Sequence, residues 1–374
     1  MEDQNKNLIL ALVLSTLVII VWTFLFPPEA QAPATLDAVQ EQQDATAPVT
    51  DTTTGGIAAP ADAVANEPAA EAPRVTIQTP ELSGTISLLG GRIDDLKLTQ
   101  YHETIDDSSP TVTLLAPSGT PDAYFASFGW AAVDGVAADA VPGPDTLWTV
   151  EDGETLTPET PVTLAYDNGA GQIFRTTISV DDKYMFSVDQ SVENTGTAAV
   201  SLRPYGLLRQ EGMPSDLQNF FILHEGLVRM ADGTLEEVKY KNMVDFAVDP
   251  NEGTNAERQD VTSAGWIGYT DHYWMTTLIP DQSVPFRSTA KYFPSRDIFQ
   301  AEAVQEPQSV APGATASVKT QLFAGAKEWE TIRDYEQAGV TGFIDSIDWG
   351  WFFFLTKPIF WVLHHLNLLI GNMG

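Results

Sequence analysis

Leu227-Val228-Arg229-Met230-Ala231-Asp232-Gly233-Thr234-Leu235-Glu236-Glu237-Val238 is the stretch on which the fold turns. Two short β-prone runs flank Asp232-Gly233, and an Asp-Gly pair supplies the positive φ angles that a two-residue hairpin loop requires. The stretch reads as a β-hairpin. Ile173 to Val180 and Tyr184 to Val192 likewise read as paired strands around Asp181-Asp182-Lys183, with Phe186, Val188 and Val192 on one side as a strand's period of two demands. Further turn dipeptides stand at Asp134-Gly135, Asp152-Gly153 and Asn168-Gly169. Many strands at a spacing of roughly ten residues, few helical stretches and no internal repeat predict a mainly β domain, a large antiparallel sandwich over 74–326.

Outward toward the C-terminus, Trp329, Ile332 and Tyr335 or Glu336 fall at helical spacing, so 327–348 reads as a short helical segment. The stretch from Trp349 to Ile370 then seeks the membrane. It is long enough to span, yet Lys357 and His364 lie on one helical face, and Trp349, Trp351 and Trp361 are residues suited to an interface. That pattern favours an amphipathic helix in the interface plane, with Pro358 near its start or at a kink, and a true span is the alternative. Trp22, Trp349, Trp351, Lys357, Pro358 and Trp361 are the expected membrane-interface residues.

Outward toward the N-terminus, Leu8 to Phe26 is a 19-residue run without a charge. As a helix it covers about 28 Å, close to the ~30 Å hydrocarbon core. Its 14 Leu, Ile, Val and Phe residues favour insertion by an upper bound of about −4 to −8 kcal/mol. Ala30-Gln31-Ala32 has signal-cleavage spacing, but the apolar run is too long for a signal h-region and the leader carries Glu2 and Asp3 beside Lys6, so the reading is an uncleaved anchor over 1–26. Lys6 precedes the span and the next cation is Arg74, which leaves the N-terminus cytoplasmic and the rest exported. Residues 27–73 hold eight Asp and Glu and no Lys or Arg, with Ala, Pro and Thr between them, the composition of a disordered tether.

The chain's 374 residues hold 51 Asp and Glu against 19 Lys and Arg, a net charge of −32, which argues against a nucleic-acid partner. Residues 74–348 alone carry 41 acidic and 17 basic residues, so the acidity belongs to the exported part. Zero cysteines exclude disulfides, thiolate metal sites and cysteine nucleophiles. The five histidines, His102, His224, His272, His364 and His365, show no metal-binding spacing, and hydrolase-elbow, Walker and dinucleotide motifs are absent. Asp94-Asp95, Asp106-Asp107, Asp181-Asp182 and Glu236-Glu237 are sequence neighbours, which face apart on a strand and do not make a facing catalytic pair. Trp130, Trp148, Trp266, Tyr269, Tyr273 and Trp274 read as sandwich core, with sugar stacking as the alternative. No catalytic, cofactor-binding or metal residue is expected.

Several features together resemble the YidC branch of the YidC/Oxa/Alb membrane-protein insertases in its Gram-negative form. Asn5-Lys6-Asn7-Leu8 runs into a single anchor and a Pro- and Ala-rich linker. Ala264-Gly265-Trp266-Ile267-Gly268, His272-Tyr273-Trp274 and Leu278-Ile279-Pro280 resemble the family's G-G-W, Q-Y-F and W-I-P segment. Trp349-Gly350-Trp351-Phe352, Lys357-Pro358-Ile359-Phe360, His364-His365-Leu366 and Gly371-Asn372-Met373-Gly374 resemble the stretch that leads into its second transmembrane helix.

The resemblance implies a periplasmic β-supersandwich related to sugar mutarotases, closed by a helical segment, with Trp351 to Ile370 as the amphipathic interface helix. It further implies a bacterial inner-membrane protein without enzymatic activity, aiding insertion and folding of integral membrane proteins. Nascent membrane proteins, the Sec translocon with its accessory subunits, and the lipid bilayer are the implied partners. The family's inserting core, five transmembrane helices with a groove arginine, is expected beyond Gly374, and no residue here matches that arginine. A membrane-tethered carbohydrate-binding or mutarotase-like protein is the alternative; it requires His102, His224 or His272 beside a carboxylate in an aromatic-lined cleft.

Overall fold

A strand with one apolar face must lay that face against another element, and here two sheets do so for each other. The computed structural model describes residues 72–106, 108–133, 135–217 and 223–348, together with Ile359 and Leu363. In chain order the strands begin with β1 (Arg74–Gln78), β2 (Leu82–Ser87), β3 (Arg92–His102), β4 (Thr111–Leu115), β5 (Tyr124–Val133), β6 (Thr149–Asp152) and β7 (Thr155–Leu156). There follow β8 (Val162–Asp167), β9 (Gln172–Val180), β10 (Met185–Asn194), β11 (Val200–Glu211), β12 (Gly226–Ala231), β13 (Thr234–Lys239) and β14 (Val248–Asp249). The set is completed by β15 (Thr254–Val261), β16 (Gly265–Thr270), β17 (Trp274–Pro280), β18 (Phe286–Phe293), β19 (Ile298–Gln305), β20 (Gln308–Val310) and β21 (Thr315–Ala326).

One sheet has twelve strands in the order β14-β15-β18-β19-β11-β5-β3-β2-β1-β7, with β20 on β11 and β4 on β3. The other has nine, in the order β13-β12-β16-β17-β21-β10-β9-β8-β6. The expected β sandwich is the architecture, and its first strand and last strand fall at Arg74 and Ala326.

The deciding hairpin forms as read. Ala231 pairs with Thr234, and Asp232 and Gly233 both take positive φ, 49° and 86°. The Asp232 carboxylate accepts hydrogen bonds from the backbone N–H groups of Thr262 and Ser263, which hold its pKa below the usual carboxylate range. β9 and β10 pair from Phe186↔Val180 to Asn194↔Gln172. Phe186, Val188 and Val192 are buried on one face, and Gln190 joins them there with its Nε2 donating to Gly129 O at 2.8 Å.

Three local expectations are corrected. β1 and β7 pair in parallel, so the twelve-stranded sheet is not wholly antiparallel. Asp152-Gly153 closes no hairpin: β6 pairs with β8 in one sheet while β7 crosses to β1 in the other. The turn at Asn168-Gly169 runs through Gly171 as well, because both glycines adopt positive φ before β9 begins at Gln172.

The helical segment consists of a helix, Trp329–Gln337, and a 3-10 turn, Phe343–Ser346. It covers the face of the nine-stranded sheet that carries Trp266 and Phe323. Phe343 meets the rings of Trp266 and Phe323 edge-on at 5.6 and 5.3 Å, and Trp266 Nε1 donates to Thr341 O at 3.1 Å. Both faces of β12 and β16 are therefore buried, and their sequences lose the alternation that a half-exposed strand shows. Gly325 lets this layer close, since a Cβ there would lie 2.2 Å from Tyr184 Cγ. Gly325→Ala should displace the Tyr184 ring and destabilise the domain by about 1–3 kcal/mol, read as a lowered urea midpoint; an unchanged midpoint would contradict this packing.

The expected anchor over 1–26 lies outside the described residues, as do residues 27–71 of the expected tether and, apart from Ile359 and Leu363, the interface helix over 349–374. No helix of the described residues is long and apolar enough to cross a membrane.

Candidate binding cleft

β3 changes partner along its length. Ile93 pairs with Ala126 of β5, whereas Leu96 to His102 pair with β4. An antiparallel bridge between Ala116 and Tyr124 marks the changeover from β4 to β5. β11 follows β5 as far as Gln210↔Tyr124 and then leaves the sheet at Gly212, φ 79°. With no second strand among the described residues on the other edge of β4, a cleft of about 990 Å³ opens, large even for a ligand pocket.

Its lining includes Tyr124 and Tyr269, one from each sheet, and Tyr240 from the helical turn after β13. Tyr240 stacks on Tyr269 at 5.3 Å, and Tyr124 meets Tyr269 edge-on at 6.1 Å. Burial pushes all three phenols above their usual pKa. The Tyr269 hydroxyl is buried with no hydrogen-bond partner among the described residues, whereas the Tyr124 hydroxyl is held by that of Thr276. The rim carries His102 from β3 and His272, Tyr273 and Trp274 from the turn between β16 and β17. Glu103, Asp122, Asp216, Glu225 and Asp271 also line the cleft, and no Lys or Arg among the described residues does.

Two residues ahead of the C-terminal helix fasten the rims. Lys327 Nζ donates to Thr270 Oγ1 at 2.8 Å and to Asp271 O at 2.6 Å. Glu328 Oε1 accepts from Tyr101 at 2.8 Å and from Tyr184 at 2.9 Å, while Oε2 accepts from Thr331 at 2.8 Å. Tyr101 lies on β3 and meets Trp274 edge-on at 4.9 Å, so the clasp ties the twelve-stranded rim to the nine-stranded one. Burial and the bond to Glu328 push the Tyr101 phenol up to about 12. Burial pushes Lys327 down and Asp271 up, the latter against two backbone N–H groups, from Tyr273 and Trp274, that favour its charged form.

The six expected membrane-interface residues, Trp22, Trp349, Trp351, Lys357, Pro358 and Trp361, lie outside the described residues. On either side of Trp361, Ile359 and Leu363 are helical, four residues apart, and 48% and 43% exposed. Trp130, Trp148, Trp266 and Tyr269 are buried as read, but Tyr273 is 64% exposed and Trp274 half-buried, both on the cleft rim. Asp94 is fully buried and ion-paired with Arg74, whereas its neighbour Asp95 accepts from Thr85. His102 and His272 both line the cleft although 170 positions apart; His224 stands aside with Nε2 at 2.8 Å from Leu227 O. Among the described residues no group of three or more His, Asp and Glu could hold a metal. Lys327 and Glu328 carried no signal as site residues, for their partners lie on strands remote in sequence.

The geometry defines a β-sandwich domain with an open, acidic, tyrosine-lined cleft. The profile of the YidC periplasmic domain matches residues 74–362, and the chain belongs to that family. The membrane protein insertase YidC of Ruegeria pomeroyi is 55% identical over 382 residues, covering all of this chain and 63% of its own length. That of Dinoroseobacter shibae is 54% identical, over all of this chain and 62% of its own. The chain thus spans less than two thirds of the length of these relatives. A galactose mutarotase related enzyme from Lactobacillus acidophilus aligns in structure over 67% of this chain and 97% of its own, at 10% identity and a TM-score of 0.47.

Burial pushes the Glu328 carboxyl up, but hydrogen bonds from Thr331, Tyr101 and Tyr184 and the charge of Lys183 outweigh it, so its pKa lies below the ordinary value. The stability this group lends to helix docking is therefore full above its unfolded pKa of ~4.3 and is lost as pH falls through the depressed value. A spin label on Gln337→Cys, in a chain without other cysteines, should become mobile across that acid range. In Glu328→Gln the acid step should vanish, and a step of the same size would assign it to another group.

Proposed function

We propose that this chain is the anchor and periplasmic part of a YidC-type insertase, a non-enzymatic protein that aids insertion and folding of integral inner-membrane proteins, with or without the Sec translocon. The observation that carries the reading is the 55% identity to the Ruegeria pomeroyi membrane protein insertase across the whole chain. Its physical logic is local concentration. A rigid sandwich on an acidic tether, anchored with its N-terminus in the cytoplasm, stays within reach of any chain emerging at the same membrane. Nascent membrane proteins, the translocon and its accessory subunits are the proposed partners, and contact with them needs a surface, not a catalytic centre.

The second membrane contact is assigned to 349–374, through Trp349, Trp351, Lys357, Pro358 and Trp361, with Trp22 at the outer end of the anchor. Ile359 and Leu363 support an in-plane helix, since two exposed aliphatic side chains four residues apart share one helical face. The carbohydrate-binding alternative has the aromatic cleft in its favour, but the whole-chain identity is to insertases.

Photo-crosslinkers placed on exposed positions between 74 and 346 should yield adducts with a nascent membrane protein and with translocon subunits in inner-membrane vesicles. Adducts with neither would overturn the reading. Separately, spin labels on Ile359→Cys and Leu363→Cys in vesicles should both report headgroup depth; a depth near the bilayer centre for either would show a span instead.

A further inference from the structure

We propose that the cleft takes an extended, net-positive peptide as an added strand on β4. β4 is paired with β3 along one edge only, and among the described residues its other edge has no backbone partner. Val112, Thr113 and Leu114 line the cleft, so that open edge borders the empty space. The place beside β4 is the one a longer β11 would fill, had the chain not turned away after Glu211 N donates to Ala123 O at 2.8 Å. Unpaired edges are normally shortened, charged or covered. An incoming strand covers this one, its main chain supplying sequence-independent hydrogen bonds and its alternate side chains meeting the two walls.

Charge favours such an occupant. Five carboxylates line the cleft and, among the described residues, no Lys or Arg does, which attracts basic segments and repels acidic ones. Tyr273 adds an exposed ring on which a cationic side chain can rest. The assignment goes beyond the insertase reading, because peptide binding is measured on the detergent-solubilised chain with no insertion step, and either can fail alone.

The probe is a fluorescein-labelled octapeptide of alternating lysine and threonine, added to the full chain at low salt. Anisotropy should rise to saturation, and the Thr111–Leu115 amides should exchange more slowly when the peptide is bound. N-methylation of every second residue should weaken binding about tenfold or more, because several backbone bonds are lost together. Tyr273→Ala should cost about threefold or more, and Glu103→Lys about threefold or more. Asp182→Lys, an exposed charge away from the cleft, should change nothing beyond the error. Equal binding of the methylated peptide, unchanged exchange along β4, or an equal loss in Asp182→Lys would each overturn the proposal. So would equal binding of the glutamate-threonine octapeptide, or displacement of the probe by maltoheptaose.

Discussion

The structure depends on both faces of the nine-stranded sheet being covered at once. Leu278 of β17 and its cross-strand partner Leu322 of β21 face the twelve-stranded sheet, while Trp266 of β16 and Phe323 of β21 face the helical segment, and all four are buried. A sheet wrapped on two sides leaves little freedom to the chain that wraps it. The glycines at 265 and 325 follow from this closeness, because a Cβ at either would lie 2.2 Å from Met230 O or from the Tyr184 ring. The family-like segment Gly265-Trp266-Ile267-Gly268 is in this light a packing device. It brings one strand close to its neighbours and sends one indole outward to hold the C-terminal layer.

Function enters where this closure stops. The sandwich opens beside β4, and the same two residues that lead into the C-terminal helix, Lys327 and Glu328, pin the rims of the opening. The cleft is thus fastened at the root of that helix. That connection is mechanical and short-range, made of hydrogen bonds below 3 Å between groups removed from water.

Much of the fold was legible because local chemistry and global packing agreed. Asp232-Gly233 needed positive φ at two successive residues, and Phe186, Val188 and Val192 needed one buried face. The β1–β7 pair was not legible, because two residues of β7 carry no pattern that specifies a sheet. β19 is buried on both faces, so it shows no alternation, and it includes Glu302, ion-paired at 2.8 Å with a Lys291 that also holds Glu252 at 2.8 Å. Such buried charges look like surface in a sequence and are tolerated only because each has a partner. The cleft escaped for a different reason. Tyr269 read as a core residue, and it is the departure of β11 from the sheet that leaves Tyr124, Tyr240 and Tyr269 lining a cavity.

The proposed function makes this β body the periplasmic part of an insertase. The direct measurement replaces the matched stretch of the Ruegeria pomeroyi membrane protein insertase with these 374 residues and follows insertion of a membrane protein in cells depleted of the native protein. The account predicts that the chimera restores insertion close to the level of the parent. A chimera that reaches the membrane in normal amount, folds, and leaves insertion at the depleted level would contradict it.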